Sequence, residues 1–396
     1  MPGRGRHPCQ EPFSAGGILD TRVTTEYLKG LAIAVVLVSH YASFYAPGFY
    51  ERWLFEYASE AVSVFFVLSG FGLYHSLRRQ LEGVPPGATS RGRSLLVFYL
   101  KRALRIYPLY WLSLATIPLA LPDYGYDSLH QLSLHTLGVY LAFPLVVAPG
   151  VFWFLPALMQ CYLAAPFCYR LLTRLGLWRY LLLLAIATAA GFEGTKHVSG
   201  LAGRIGFDSL AILYRNFLLA NILLLALGMA MPVMLERYRK ELSSRACVVA
   251  SLVLFFVSAY ITRFPDLLFA ASGLVFTPLM LWSAALFCLF SIAAGPPPFA
   301  RAAALAGRHS YPLYLFHRSA YSLLALAGVI TVNSRLSALA TVSLMLLVLV
   351  VCWYLERASS SFTGRLEQLL GVQRTEPAGG VGMGRLQAQP QAGSVD

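Results

Sequence analysis

Charge is what this chain has least of. Asp, Glu, Lys and Arg together make up 12% of its 396 residues, where a soluble domain carries about 25%. That shortage excludes an ordinary water-soluble domain. Cysteine is scarce and scattered: Cys9, Cys161, Cys168, Cys247, Cys288 and Cys352 stand singly. No CxxC pair or metal-ligand spacing occurs, so neither a disulfide framework nor a zinc site is indicated, and no metal is expected. Met1 to Thr25 contains no apolar core long enough for a signal peptide. Internal repeats and Gly/Pro-broken helices paired between halves, the marks of many secondary transporters, are not evident either.

What is abundant is apolar length. Hydrophobic residues make up 57% of the chain and the mean hydropathy is +0.62, which predicts an all-α, polytopic membrane bundle. Ten spanning segments are read at 27–45, 60–77, 97–120, 151–172, 178–193, 210–234, 246–262, 267–294, 309–330 and 335–356. A disordered N-terminal stretch, 1–24, precedes a membrane domain at 25–360, and a flexible tail, 361–396, follows it. The net charge of +13 could indicate nucleic acid or a membrane surface. Its distribution favours the membrane and excludes nucleic acid as the expected partner. With ten spans and both termini cytoplasmic, 24 of the 31 Lys and Arg fall inside and five outside, as the positive-inside rule requires. The apolar run 132–147 is therefore read as an interfacial or re-entrant helix on the outer side, an eleventh span being the alternative. The outer loop 121–150 carries no Lys or Arg but holds Asp123, Asp127, His130 and His135, a lip for a polar substrate or a plain connector. Short inner loops without a signal sequence fit a bacterial inner membrane.

Within the apolar runs a few polar groups stand out. Lys29 enters the first segment, where snorkelling would explain it. His40 follows eleven residues later, about 16 Å along a helix. An ionisable side chain at that depth is costly and by default a functional candidate; the plainer reading is a neutral His bonded to a neighbouring helix. Ser69, Gly70 and Gly72 allow close backbone approach, which in a span most often means helix packing. Arg102 and Arg105 are three apart and share a helix face. Two guanidiniums there can grip phosphates bidentately, or simply anchor the helix. Trp153 opens another segment as an interfacial anchor would, and His317 with Arg318 lies well past the start of a later one.

Taken in order, these stretches resemble the membrane-bound acyltransferase 3 family. The resemblance rests on Lys29 and His40 at their spacing, FFVLSGF (Phe65 to Phe71), RxxRIYPLYW (Arg102 to Trp111), the block with Trp153, Tyr162 and Pro166, and SYPLYLFH (Ser310 to His317). Together they cover residues 25 to 360. Two positions depart from the pattern. Ser63 stands where many members carry Asp, and Met159 and Gln160 stand where the polysaccharide-modifying subset carries Glu. The resemblance implies an O-acyltransferase moving an acyl group, most often acetyl, from cytoplasmic acyl-CoA to a hydroxyl of a carbohydrate or lipid-linked sugar. It implies His40 as general base, because histidine titrates close to the operating pH. Lys29, Arg102 and Arg105, with Ser69 and Gly70, would hold the CoA donor. Glu60, Trp153, Tyr162 and His317 would support the substrate or the site, and Glu60 is the candidate for orienting His40. A carrier or flippase for a lipid-linked sugar or metabolite is the competing expectation, since intramembrane His and Arg also line transport paths. A catalytically dead scaffold is the third.

Overall fold

The computed structural model describes residues 21–46, 58–81, 88–120, 154–187, 218–242, 298–329 and 335–369, with positions 48 and 257 and parts of 244–253. Among the described residues all regular structure is helical and no strand occurs. The helices are α1 (Thr21–Tyr45), α2 (Ala58–Leu81), α3 (Ala88–Ala120) and α4 (Phe154–Leu175). They continue with α5 (Leu177–Ala187), α6 (Leu218–Arg237), α7 (Pro298–Arg308), α8 (Ser310–Leu326) and α9 (Arg335–Leu369). Each except α7 covers all or part of an apolar segment expected from the sequence. One described helix, over Ala61–Leu81, is long and apolar enough by length and composition to cross a membrane. The count of ten spans is thus not established. The interfacial run 132–147, the segment 267–294 and most of 246–262 lie outside the described residues.

Two helix ends differ from expectation. The first helix begins at Thr21, inside the stretch expected to be disordered, and α9 runs to Leu369, beyond the expected tail boundary at 361. The reason is legible afterwards: Phe362, Leu366 and Leu369 recur at helical spacing, a pattern that a mean-composition reading of the tail conceals.

Small residues set how close the helices come. Gly70 of α2 lies against the Leu225 carbonyl of α6, and Gly228 of α6 lies against the Val67 carbonyl of α2. A Cβ at either position would have to occupy the partner's backbone, so only glycine allows this crossing. The same device joins α1 to α7, where Gly30 meets Ala303 and Gly307 meets Glu26. An ion pair from Arg308 to Glu26, at 2.6 Å, ties the latter crossing at its polar end. Tyr hydroxyls then fix α8 between its neighbours. Tyr321 donates to the Leu37 carbonyl of α1 at 3.0 Å, and Tyr311 donates to the Ile106 carbonyl of α3 at 2.8 Å. The core around these contacts is aliphatic and aromatic, with Ile33, Phe66, Leu77, Tyr110 and Tyr180 among its most enclosed side chains. Helices α1, α2, α3, α4 and α8 thereby surround one interior space.

Candidate active site

That space is a cavity of about 470 Å³, within the size range of small-molecule sites. At one end it is basic. Lys29 from α1, Arg79 from α2, and Arg102 and Arg105 from α3 line it, with His75 and Tyr162 beside them. Helical spacing puts Arg102 and Arg105 on one face of α3, and both do reach the cavity. The Arg102 guanidinium carbon lies 5.5 Å from the centre of the Phe98 ring. Its Nε is buried and has no hydrogen-bond partner among the described residues. A buried donor left unmatched costs stability unless something completes it, and an anionic ligand in the cavity would do so.

Away from the basic end the wall turns apolar, with Val62, Phe65, Leu68, Phe154 and Leu158. The cavity reaches Val36 on α1 and Tyr314 on α8. One helical turn beyond Val36 stands His40, on the same face, and one turn beyond Tyr314 stands His317. The two imidazoles meet there. Nδ1 of His40 lies 2.8 Å from Nε2 of His317, with the ring planes within 7° of parallel. His317 is wholly enclosed, at 0% exposure, and its ring also contacts Tyr321, with centroids 5.7 Å apart.

The bonding pattern assigns the protons. Nδ1 of His317 faces two main-chain carbonyls, Tyr314 at 2.7 Å and Leu313 at 3.2 Å. A carbonyl only accepts, so this nitrogen carries the hydrogen. In the neutral ring Nε2 of His317 is then an acceptor, and the hydrogen in the His40 contact belongs to His40 Nδ1. His40 is therefore the tautomer whose basic nitrogen is Nε2. A second histidine, braced by main chain, is thus a partner of His40.

Other expected residues fall into place or away from it. Ser69 and Tyr162 are on the cavity wall. Gly70 is turned from it, against Leu225 in the α2–α6 crossing. Trp153 and the Glu60 side chain lie outside the described residues. Sequence reasoning overlooked Arg79, His75, Tyr311 and Tyr314 as lining residues. Arg79 had counted only as one of many inside charges, although its four-residue spacing from His75 already put both on one face of α2.

The comparison with protein families accords with this arrangement. Residues 24–357 match the acyltransferase 3 family model, described as an acyltransferase domain. The chain belongs to the acyltransferase 3 family. The match spans all the helices that line the cavity and includes both histidines. No curated protein and no solved structure matches the chain. The family makes the protein an acyltransferase, and the site just described gathers an imidazole pair, a cavity and a set of cations within one bundle.

Proposed function

We propose that this acyltransferase is a multi-pass membrane O-acyltransferase, moving an acyl group, expected to be acetyl, from cytoplasmic acyl-CoA to a hydroxyl of a carbohydrate or lipid-linked sugar. The observation that carries the reading is one cavity with four cationic side chains at one end and the His40–His317 pair one turn beyond the other. Coenzyme A is a ligand of that polarity. Its diphosphate and 3′-phosphate match Lys29, Arg79, Arg102 and Arg105, and its uncharged pantetheine arm suits the apolar wall.

The chemistry follows from the assigned tautomer. Nε2 of His40 takes the acceptor's hydroxyl proton while that oxygen attacks the thioester carbonyl carbon. The tetrahedral species collapses with cleavage of the carbon–sulfur bond, and the proton returns from His40 to the departing thiolate. An ester and free CoA thiol result, with no other reactant needed. His317 keeps His40 in the productive tautomer and accepts from its Nδ1–H throughout, the orienting task that a buried carboxylate performs in a Ser-His-Asp triad. A positioned base of this kind contributes about 10²–10⁴-fold in rate.

Membrane insertion is supported by the exposed faces. Trp178, Leu182 and Ile186 recur every fourth residue along α5, all more than half exposed, a stripe that water would not favour. Leu346 and Val350 repeat the pattern on α9. The basic end of the cavity faces the cytoplasm in this reading, because α2 and α3 carry Arg78, Arg79, Arg91 and Arg93 there.

The test is a comparison of O-acyl content in surface polysaccharide and lipids from cells with the native protein, without it, and with His40→Ala. The native protein alone should raise O-acylation, while His40→Ala remains in the membrane fraction and restores none. Undiminished O-acylation with His40→Ala would remove His40 as the base. O-acylation that is the same with and without the native protein would remove the proposed acceptor class.

A further inference from the structure

A second cavity, of about 360 Å³, lies apart from the first and shares no lining residue with it. Its walls are Leu81 at the end of α2, Arg91 near the start of α3, and Tyr169, Arg170 and Arg174 of α4. Three guanidiniums from two helices thus converge on one small space, and among the described residues no acidic side chain lines it. The space is built rather than accidental. Tyr169 is buried and held against Tyr74 of α2, with ring centroids 5.6 Å apart. Beside it the Tyr99 hydroxyl of α3 donates to the Leu163 carbonyl of α4 at 3.0 Å, fixing the distance between the two helices.

The surface leading from this cavity is apolar. On α4, Leu163 and Phe167 are 60% and 66% exposed. They precede Arg170 and Arg174 at spacings of four, three and four, so all four lie along one helical stripe. On the facing helix, Leu96 is 58% exposed, five residues beyond Arg91. A cavity walled by cations, with a bare aliphatic and aromatic stripe leading to it along α4, calls for a ligand of matching polarity. Free phosphate would use the arginines and leave the stripe uncovered.

We propose that this second cavity is a headgroup site for an anionic phospholipid, whose phosphate the three arginines hold while an acyl chain lies along Leu163 and Phe167. The proposal rests on the membrane placement argued above. Basic pockets between helices at the cytoplasmic side of a bilayer take anionic headgroups for this reason. Guanidinium forks suit them better than ammonium groups do.

The test uses the full chain reconstituted in nanodiscs of equimolar phosphatidylglycerol and phosphatidylcholine, with native mass spectrometry counting the lipids retained on release. Retained phosphatidylglycerol should exceed phosphatidylcholine, and the excess should fall by roughly fivefold for each arginine lost in Arg91→Ala, Arg170→Ala and Arg174→Ala. A control triple of Arg237→Ala, Arg357→Ala and Arg365→Ala removes equal charge from other exposed positions and should keep the excess. Equal loss in the control would show general surface attraction and overturn the site. So would equal retention of both lipids by the native chain, or displacement of the retained lipid by millimolar inorganic phosphate. The triple Arg→Lys variant at the three site positions guards against misfolding, because it should keep part of the excess; complete loss there overturns the charge argument. A chain that fails to enter nanodiscs at all removes the membrane reading itself, an outcome distinct from entry without preference.

Discussion

His317 accepts from His40 where a triad would place a carboxylate, and the substitution has consequences. A carboxylate both fixes the tautomer and stabilises the imidazolium by charge; neutral His317 supplies only the first. The hydrogen-bond acceptor, rather than a negative charge, is then what the position requires. His317→Gln offers an amide oxygen of comparable reach and should retain part of the turnover. His317→Leu leaves His40 without its acceptor and should lower kcat by roughly 10²–10⁴-fold, the scale of a lost base or a wrong tautomer. The two variants are compared in acyl-CoA consumption with the protein level held equal; equal activities would show that the contact is merely structural. Arg102 makes a different prediction. Its buried Nε has no partner among the described residues, and its cavity has the charge for phosphate. Arg102→Ala should raise KM for acyl-CoA by about tenfold or more, the worth of a charge-assisted hydrogen bond, while kcat changes less. A fall in kcat with KM unmoved would place Arg102 outside donor binding.

At the scale of elements, paired glycines decide how the helices cross. Gly70 and Gly228 each stand against the other helix's backbone, so a side chain at either position has no flexible neighbour to displace. Gly70→Val should separate α2 from α6 and destabilise the bundle by about 1–3 kcal/mol, the cost of overpacking, with a lower thermal midpoint and less protein in membranes. Gly72, two residues on, has nothing within 4 Å of an added Cβ, and Gly72→Ala should be tolerated. A thermal-shift comparison of the two separates backbone approach from a general intolerance of the FFVLSGF stretch. The sequence marked Ser69, Gly70 and Gly72 alike as small residues, and could not divide them. The division needs the azimuth of α2: Ser69 and Gly72 line the cavity, where Gly72 has room for a methyl group, and Gly70 faces α6.

For the whole molecule the question is orientation. The proposed reading has the basic end of the cavity on the cytoplasmic side with both termini, so that donor enters from inside and His40 stands deeper. A single cysteine at the tail, Ser394→Cys in a background where Cys9, Cys161, Cys168, Cys247, Cys288 and Cys352 are all replaced by Ser, should react with a membrane-impermeant maleimide only after the membrane is opened. Labelling of intact cells would invert the topology and move the donor entrance to the other face. The helical segments were legible without coordinates, because apolar length is a one-dimensional property. Long apolar runs must become helices in lipid, and α1, α2, α6 and α8 formed where those runs are. Helix ends were less legible: α9 extends past the expected tail boundary because sparse residues at helical spacing outweigh a polar average.

The sequence by itself determined the all-helical class, the family, and the ionisable residues set in apolar surroundings: Lys29, His40, Arg102, Arg105 and His317. Local chemistry and spacing suffice for that, since an ionisable group inside an apolar run is costly wherever the run folds. Only the tertiary structure decided which of them meet. His40 and His317 lie 277 residues apart in the chain and 2.8 Å apart in space, and no periodicity within either helix records that distance. The Tyr321 and Tyr311 hydroxyl bonds hold α8 beside α1 and α3. That contact turns two isolated histidines into one hydrogen-bonded pair, the directed base of the proposed mechanism.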